Sequence, residues 1–186
     1  MRQVEELSHL ENKHSSSKYY SANHADFKLL PNQVIPINIG QSTYDLLRCL
    51  YTGGKRVSEY ISFSEGLRIP SKLESEVADD LKIVKQYQFS KYSKIHQGSF
   101  ISTKNLAMVI SDNSDRYHKI FSPKILIAED ALQISATLDL EKYVPQGGVY
   151  FATRKNRELG IVCLLGLVNS RLLSYLYESL YAGMHM

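Results

Sequence analysis

ELGIVCLLGLVNSRLLSYLYESLY, residues 158–181, carries the strongest periodic signal in the chain. Ile161, Leu164, Leu165, Val168, Leu172, Tyr175, Leu176 and Leu180 recur at spacings of three and four, the pattern of a helix with one apolar stripe. Such a stripe needs a surface to cover, and the segment upstream supplies one. Val149–Thr153, opened by the turn pair Gly147-Gly148, Gln133–Leu138 and Pro123–Ala128 are short β-branched or apolar runs. PKILIA at 123–128 is apolar over four consecutive positions, which predicts a strand buried on both faces.

Further upstream, Leu106–Ile110, Ser99–Thr103 and Leu81–Phe89 also look strand-like. Thr43–Leu50 is predicted as a helix, with Ser42 as its cap and Gly53-Gly54 as its end. A helical or turn segment at Arg56–Tyr60 leads into Ile61–Phe63, and Ala182-Gly183 is expected to stop the last helix. Strands closed by helices at both ends of the chain predict an α+β fold: a twisted mixed or antiparallel sheet flanked by helices, with a long C-terminal amphipathic helix. Residues 1–40, polar and interrupted by Pro31 and Pro36, read as a partly irregular lead-in with at most a short helix at Val4–Glu11. Residues 41–186 read as the domain proper.

The chain of 186 residues suits one compact domain, and 44% hydrophobic with 22% charged residues suits a folded one. A net charge of +3 is too small for a basic tail, so nucleic-acid contact would need a local basic face. Cys49 and Cys163 are the only cysteines and stand in apolar helical runs; they exclude a four-cysteine zinc site and are expected as reduced core residues. Neither a secretion signal nor a run of about 20 apolar residues occurs, so the expectation is a cytoplasmic protein with no membrane partner.

Catalytic signatures are absent from the sequence. GLRIPS at 66–71 has too few glycines to cradle a phosphate, and the six histidines do not fall at metal-ligand spacing. Asp79-Asp80 and Glu129-Asp130 are adjacent pairs that point to opposite faces of a strand, and SDNSD at 111–115 reads as a solvated turn without the glycine of a calcium loop. What remains is basic residues interleaved with aromatic or polar ones: QYQFSKYSK at 86–94, RYHK at 116–119 and RKNR at 154–157, expected outside periodic elements. Lys and Arg neutralise phosphates, Arg and Gln read base edges, and rings stack on exposed bases.

Three stretches resemble the TaqI-like C-terminal specificity domain, the target-recognition part of fused type II restriction–modification enzymes and related N6-adenine DNA methyltransferases. They are FSPKILIAED at 121–130, ATLDLEKYVPQGGVYFAT at 136–153 and LLGLVNSRLLSYLYESLYAGMHM at 164–186. Leu46–Phe63 and Glu65-Gly66-Leu67 resemble the family's upstream helix, turn and glycine motif, although the chain continues with Arg68-Ile69-Pro70-Ser71 where relatives have Thr-Gly and Asn. The methyltransferase's catalytic and cofactor motifs are not in this sequence, and the domain is expected to be cut short at its C-terminal end.

The resemblance implies a sequence-specific DNA recognition module that clamps duplex DNA for a separate catalytic domain. Its partners would be double-stranded DNA and the methyltransferase or nuclease domain of a parent enzyme. No cofactor is expected in this chain; the parent would use S-adenosylmethionine, and Mg2+ if it also cleaves. Arg68, Gln88, Lys91, Lys94, Arg116, Lys119, Lys124, Arg154, Lys155 and Arg157 are the candidate DNA contacts, with Lys124 placed at a strand end where its ammonium could reach a phosphate. Asn169 and Ser170 are expected to be structural, the Asn bonding a neighbouring backbone. The rival reading is a non-catalytic protein–protein interaction or structural domain of a larger enzyme, which a contiguous exposed leucine stripe on the last helix would favour.

Overall fold

In the computed structural model the described residues are 28, 30, 40–77, 81–96, 98–110, 114–129 and 133–181. The short helix expected at Val4–Glu11 and the Ala182-Gly183 stop lie outside them. Lys55–Glu178 form one compact unit, while residues 40–54 and 179–181 fall in a second.

In the second unit, helix α1 spans Gln41–Gly53. Extended Gly40 is its N-cap, with the Tyr44 N–H bonded to the Gly40 carbonyl at 3.1 Å, so Ser42 lies inside the helix and does not cap it. Gly54 closes the other end by donating to the Leu50 carbonyl at 2.8 Å.

The larger unit is built on two four-stranded sheets. The first is antiparallel throughout, in the order β1 (Ile61–Glu65), β8 (Val149–Arg154), β5 (Lys124–Ala128), β6 (Ala136–Asp139). The second is mixed, in the order β2 (Glu74–Ser75), β4 (Phe100–Ile101), β3 (Leu81–Val84), β7 (Val144–Pro145), with β3 and β7 parallel. Gly66 joins them: its N–H donates to the Val149 carbonyl at 2.8 Å, and a side chain there would collide with the Gln146 carbonyl.

Strand β5 explains the core. Leu126 points to a cluster with Ile83, Val84, Ile101, Leu106, Ile120, Val144 and Phe151, and Ile125 points to another with Ile61, Ala152, Leu164, Leu165 and Val168. Residues one apart on a strand face opposite ways, so a continuous apolar run is what a central strand with both faces covered requires. The second half of 81–89 is not strand but a 3-10 turn at Gln86–Gln88.

Two segments expected as strand or loop are helices: α2 at Thr103–Ile110 and α3 at Ser114–Phe121. In α2 the Ser102 hydroxyl accepts the Asn105 N–H at 3.2 Å, capping a helix whose Leu106 and Ile110 are buried four residues apart. The Arg116–Lys119 cluster therefore lies on a periodic element, with Asp115 in its first turn paired to Lys119 at 2.7 Å.

The C-terminal segment is helical, in two pieces: α4 (Ile161–Val168) and the longer amphipathic α5 (Arg171–Tyr181), bent by 47° at Asn169-Ser170. The apolar stripe holds through α4, where Leu164, Leu165 and Val168 are buried, and then loses phase: Leu172 and Tyr175 are exposed and Ser174 is buried. Ser170 starts the new helix, its hydroxyl accepting the Leu173 N–H at 3.1 Å. No single helix among the described residues is long and apolar enough to cross a membrane.

Candidate nucleic-acid interface

Two of the ten candidate contacts are not on the surface. Lys124 has no exposed side-chain area; its ammonium is paired with the equally buried Asp139, its cross-strand partner, and donates to the Ile120 carbonyl at 2.6 Å. Burial pushes its pKa down, and the Asp139 carboxylate opposes the shift. The apolar run that makes β5 a central strand also carries its first residue inside, so Lys124 is a core ion pair and not a phosphate contact. Gln88 is likewise buried. Its Oε1 accepts the Lys85 N–H at 2.7 Å, and its amide nitrogen occupies the space that any side chain at position 98 would need, which Gly98 leaves open.

Arg116 is held by the backbone, Nη2 donating to the carbonyls of Glu65 at 2.8 Å and Gly66 at 3.3 Å. With Lys119, Asp115, Ser64 and Glu65 it lines a polar cleft of about 300 Å³ at the end of β1. Arg68 projects from the following loop, its side chain 90% exposed with Glu65 at 3.8 Å.

Lys91 and Lys94 flank a tight turn in which Tyr92 takes φ 57°. The turn lies along the outer edge of β6: the Tyr92 N–H donates to the Ala136 carbonyl at 3.1 Å, and the Thr137 hydroxyl to the Ser93 carbonyl at 2.5 Å. Asn and Gly suit such a φ better than Tyr, so the ring is displayed at a conformational cost.

The Arg154–Arg157 loop connects β8 to α4. One backbone bond, the Lys155 N–H to the Tyr60 carbonyl at 2.7 Å, ties it down, and two side chains add to it: Lys155 Nζ donates to the Ser58 carbonyl at 2.8 Å and Asn156 Nδ2 to the Glu59 carbonyl at 3.2 Å. Lys155 Nζ is thus directed to a backbone carbonyl, whereas Arg154 and Arg157 are exposed with no ion pair among the described residues. These cations do not share one groove. Arg116 sits at the Glu65 end of β1, Arg154 pairs with Ile61 at the other end, and Lys91 and Lys94 border β6 at the opposite edge of the sheet. Between backbone positions, four residues of β1 set Arg154 about 14 Å from the Glu65 end, and four inter-strand steps set the Lys91–Lys94 turn about 19 Å from β1.

Sequence reasoning missed Asp139, whose pairing with Lys124 is a register effect, and the groove lined by Gln133, Arg171 and Ser174 beside Lys91. Both cysteines, expected in the core, are exposed free thiols. Among the described residues no three His, Cys, Asp or Glu side chains gather as a metal site.

The larger unit is an α+β fold that displays its cations on loops and helix ends around an antiparallel sheet. Residues 76–185 match the family model of the TaqI-like C-terminal specificity domain, and the chain belongs to that family. At the family level this makes it a DNA target-recognition domain of the restriction systems, one that works with a catalytic domain. The match takes in the first two stretches of resemblance and all but the last residue of the third, and starts downstream of Leu46–Leu67. No curated protein matches the chain.

Proposed function

We propose that this domain docks on duplex DNA and holds a specific site for a separate domain that methylates adenine at N6, with or without cleavage, in the cytoplasm. S-adenosylmethionine, and Mg2+ where the parent cleaves, would belong to that catalytic domain. The observation that carries the proposal is the Arg154–Arg157 loop: two exposed guanidinium groups on a loop held to residues 58–60 by one backbone and two side-chain hydrogen bonds. Anchoring lowers the ordering cost of binding, and a guanidinium fork suits phosphate or guanine edges.

The test is a duplex titration at about 50 and 200 mM salt, with wild type and an Arg154→Gln/Arg157→Gln double variant that leaves Lys155 in place. For three to five neutralised phosphates, log K should fall with log salt at a slope near −3 to −4.5, and the double variant should flatten it by about 1.8. Identical curves would remove this loop from the interface. A second reading has its own observation: Val162, Leu167 and Leu172 are 68%, 44% and 44% exposed on α4 and α5, an arrangement suited to packing against a partner protein. Failure of the wild type to bind any duplex at 50 mM salt would favour that one.

A further inference from the structure

We propose that Lys91, Arg171 and Ser174 form a seat for one phosphodiester of the DNA backbone; the proposal rests on the DNA-docking reading above. Lys91, Gln133, Arg171, Ser174, Tyr175 and Glu178 line a groove of about 380 Å³. Arg171, Ser174, Tyr175 and Glu178 are spaced at three, four and seven along α5 and so form a single helix face, with Lys91 and Gln133 as the facing wall.

Ser174 is the independent sign of a ligand. It is 95% buried, counting the 5% that remains accessible, yet its hydroxyl has no hydrogen-bond partner among the described residues. A serine inside a helix ordinarily returns its hydroxyl to a carbonyl one turn back, and a buried hydroxyl left unpaired is costly. Ser174 lines the groove, and rotation of its hydroxyl toward an acceptor there would resolve this. Arg171 opens α5, an 11-residue helix whose N-terminal dipole also favours an anion there. Two cations against the one carboxylate of Glu178 leave the lining at net +1, which balances a phosphodiester better than a doubly charged phosphomonoester.

The experiment uses the whole chain and a duplex of about 20 base pairs, followed by anisotropy across the same salt range. Lys91→Gln and Arg171→Gln should each weaken binding several-fold, and the double variant should flatten the salt slope by about 0.9, the value for one shared phosphate. Ser174→Ala should weaken binding without changing the slope, and Glu178→Gln should tighten it. A flattening near 1.8 would mean two separate phosphates and overturn the single seat. Wild-type affinity and slope in the double variant, alongside a flattened slope in Arg154→Gln/Arg157→Gln, would sink the seat and leave the DNA reading standing. No duplex binding by the wild type would sink both. Displacement of duplex by millimolar inorganic phosphate as effectively as by competitor DNA would also overturn the preference for a diester.

Discussion

The carboxamide of Asn169 engages both backbone groups of Ala136. Its Oδ1 accepts the Ala136 N–H at 3.0 Å, and its Nδ2 donates to the Ala136 carbonyl at 2.8 Å. The side chain acts as a one-residue extra strand on the outer edge of β6, at the point where α4 ends and the chain bends into α5. That single contact fixes the helix break to the sheet, and the turn carrying Lys91 and Lys94 shares it, because the Tyr92 N–H meets the same carbonyl.

Asn169→Ala would leave the Ala136 N–H without its partner inside the protein, while the carbonyl keeps Tyr92. The expected loss is about 1–3 kcal/mol, the usual cost of a stranded buried donor. Asn169→Asp should lose more, since a buried carboxylate cannot donate to the carbonyl it would face. Urea unfolding monitored by circular dichroism reads both as lower midpoints at constant slope. A midpoint shift within error for the Ala variant would mean that the helix break is held by packing alone.

The Lys124–Asp139 pair makes an opposite kind of prediction. Removing either partner leaves a buried charge, so Lys124→Met or Asp139→Leu alone should cost about 3–5 kcal/mol. The double replacement should recover most of that loss, because well-packed apolar groups often equal a buried ion pair. A double-mutant cycle on unfolding free energies measures the coupling. The double variant should also keep the wild-type salt slope of duplex binding, as befits a lysine with no exposed surface. A flattened slope would return Lys124 to the DNA interface.

Most of the sheet was legible because periodicity reports burial directly. PKILIA predicted a strand covered on both faces, as found in β5, and Gly147-Gly148 placed the start of β8. Leu106–Ile110 misled because a short run of β-branched and apolar residues fits strand and helix alike. The deciding signal was the Ser102 cap, with Leu106 and Ile110 four apart. The continuous stripe over 158–181 hid a bend because Asn169-Ser170 fits a helical pattern while its side chains bond elsewhere. Site residues were the least legible. Whether a lysine meets solvent or a buried carboxylate depends on strand register, and Lys124 and Asp139 lie fifteen positions apart in the sequence.

Loss of phase at the bend gives a sharp comparison between two leucines of one apparent stripe. Leu165 is 6% exposed and packs with Ile61, Ile125 and Ala152, whereas Leu172 is 44% exposed. Leu165→Ala should cost about 2–5 kcal/mol through lost transfer energy and a cavity. Leu172→Ala should stay within about 0.5 kcal/mol, as exposed substitutions do. Thermal and urea unfolding of the two variants decide the matter. Equal losses would mean that the stripe is continuous across Asn169.

Glu74 sets the behaviour in acid. Its carboxylate takes both hydrogen bonds of the Lys85 ammonium, at 2.9 and 3.1 Å, and one from the Gln146 amide at 3.1 Å, tying β2 to the segments that follow β3 and β7. Burial is the largest single influence on its pKa and pushes it up; the hydrogen bonds, led by that from Lys85, together outweigh burial and hold the pKa below the ordinary value of 4.5. The unfolded chain then binds the proton more readily than the folded one, so stability rises with pH through this interval. The contribution is fully present above about pH 4.5 and is lost as the pH falls through the lower folded value. In Glu74→Gln this contribution is missing, so the variant should be less stable than wild type at neutral pH and the difference should shrink toward pH 3. Urea midpoints of the two proteins between pH 3 and 7 test this. A difference that stays constant over the whole range would mean that the carboxylate's charge contributes nothing and that Glu74 acts through packing alone.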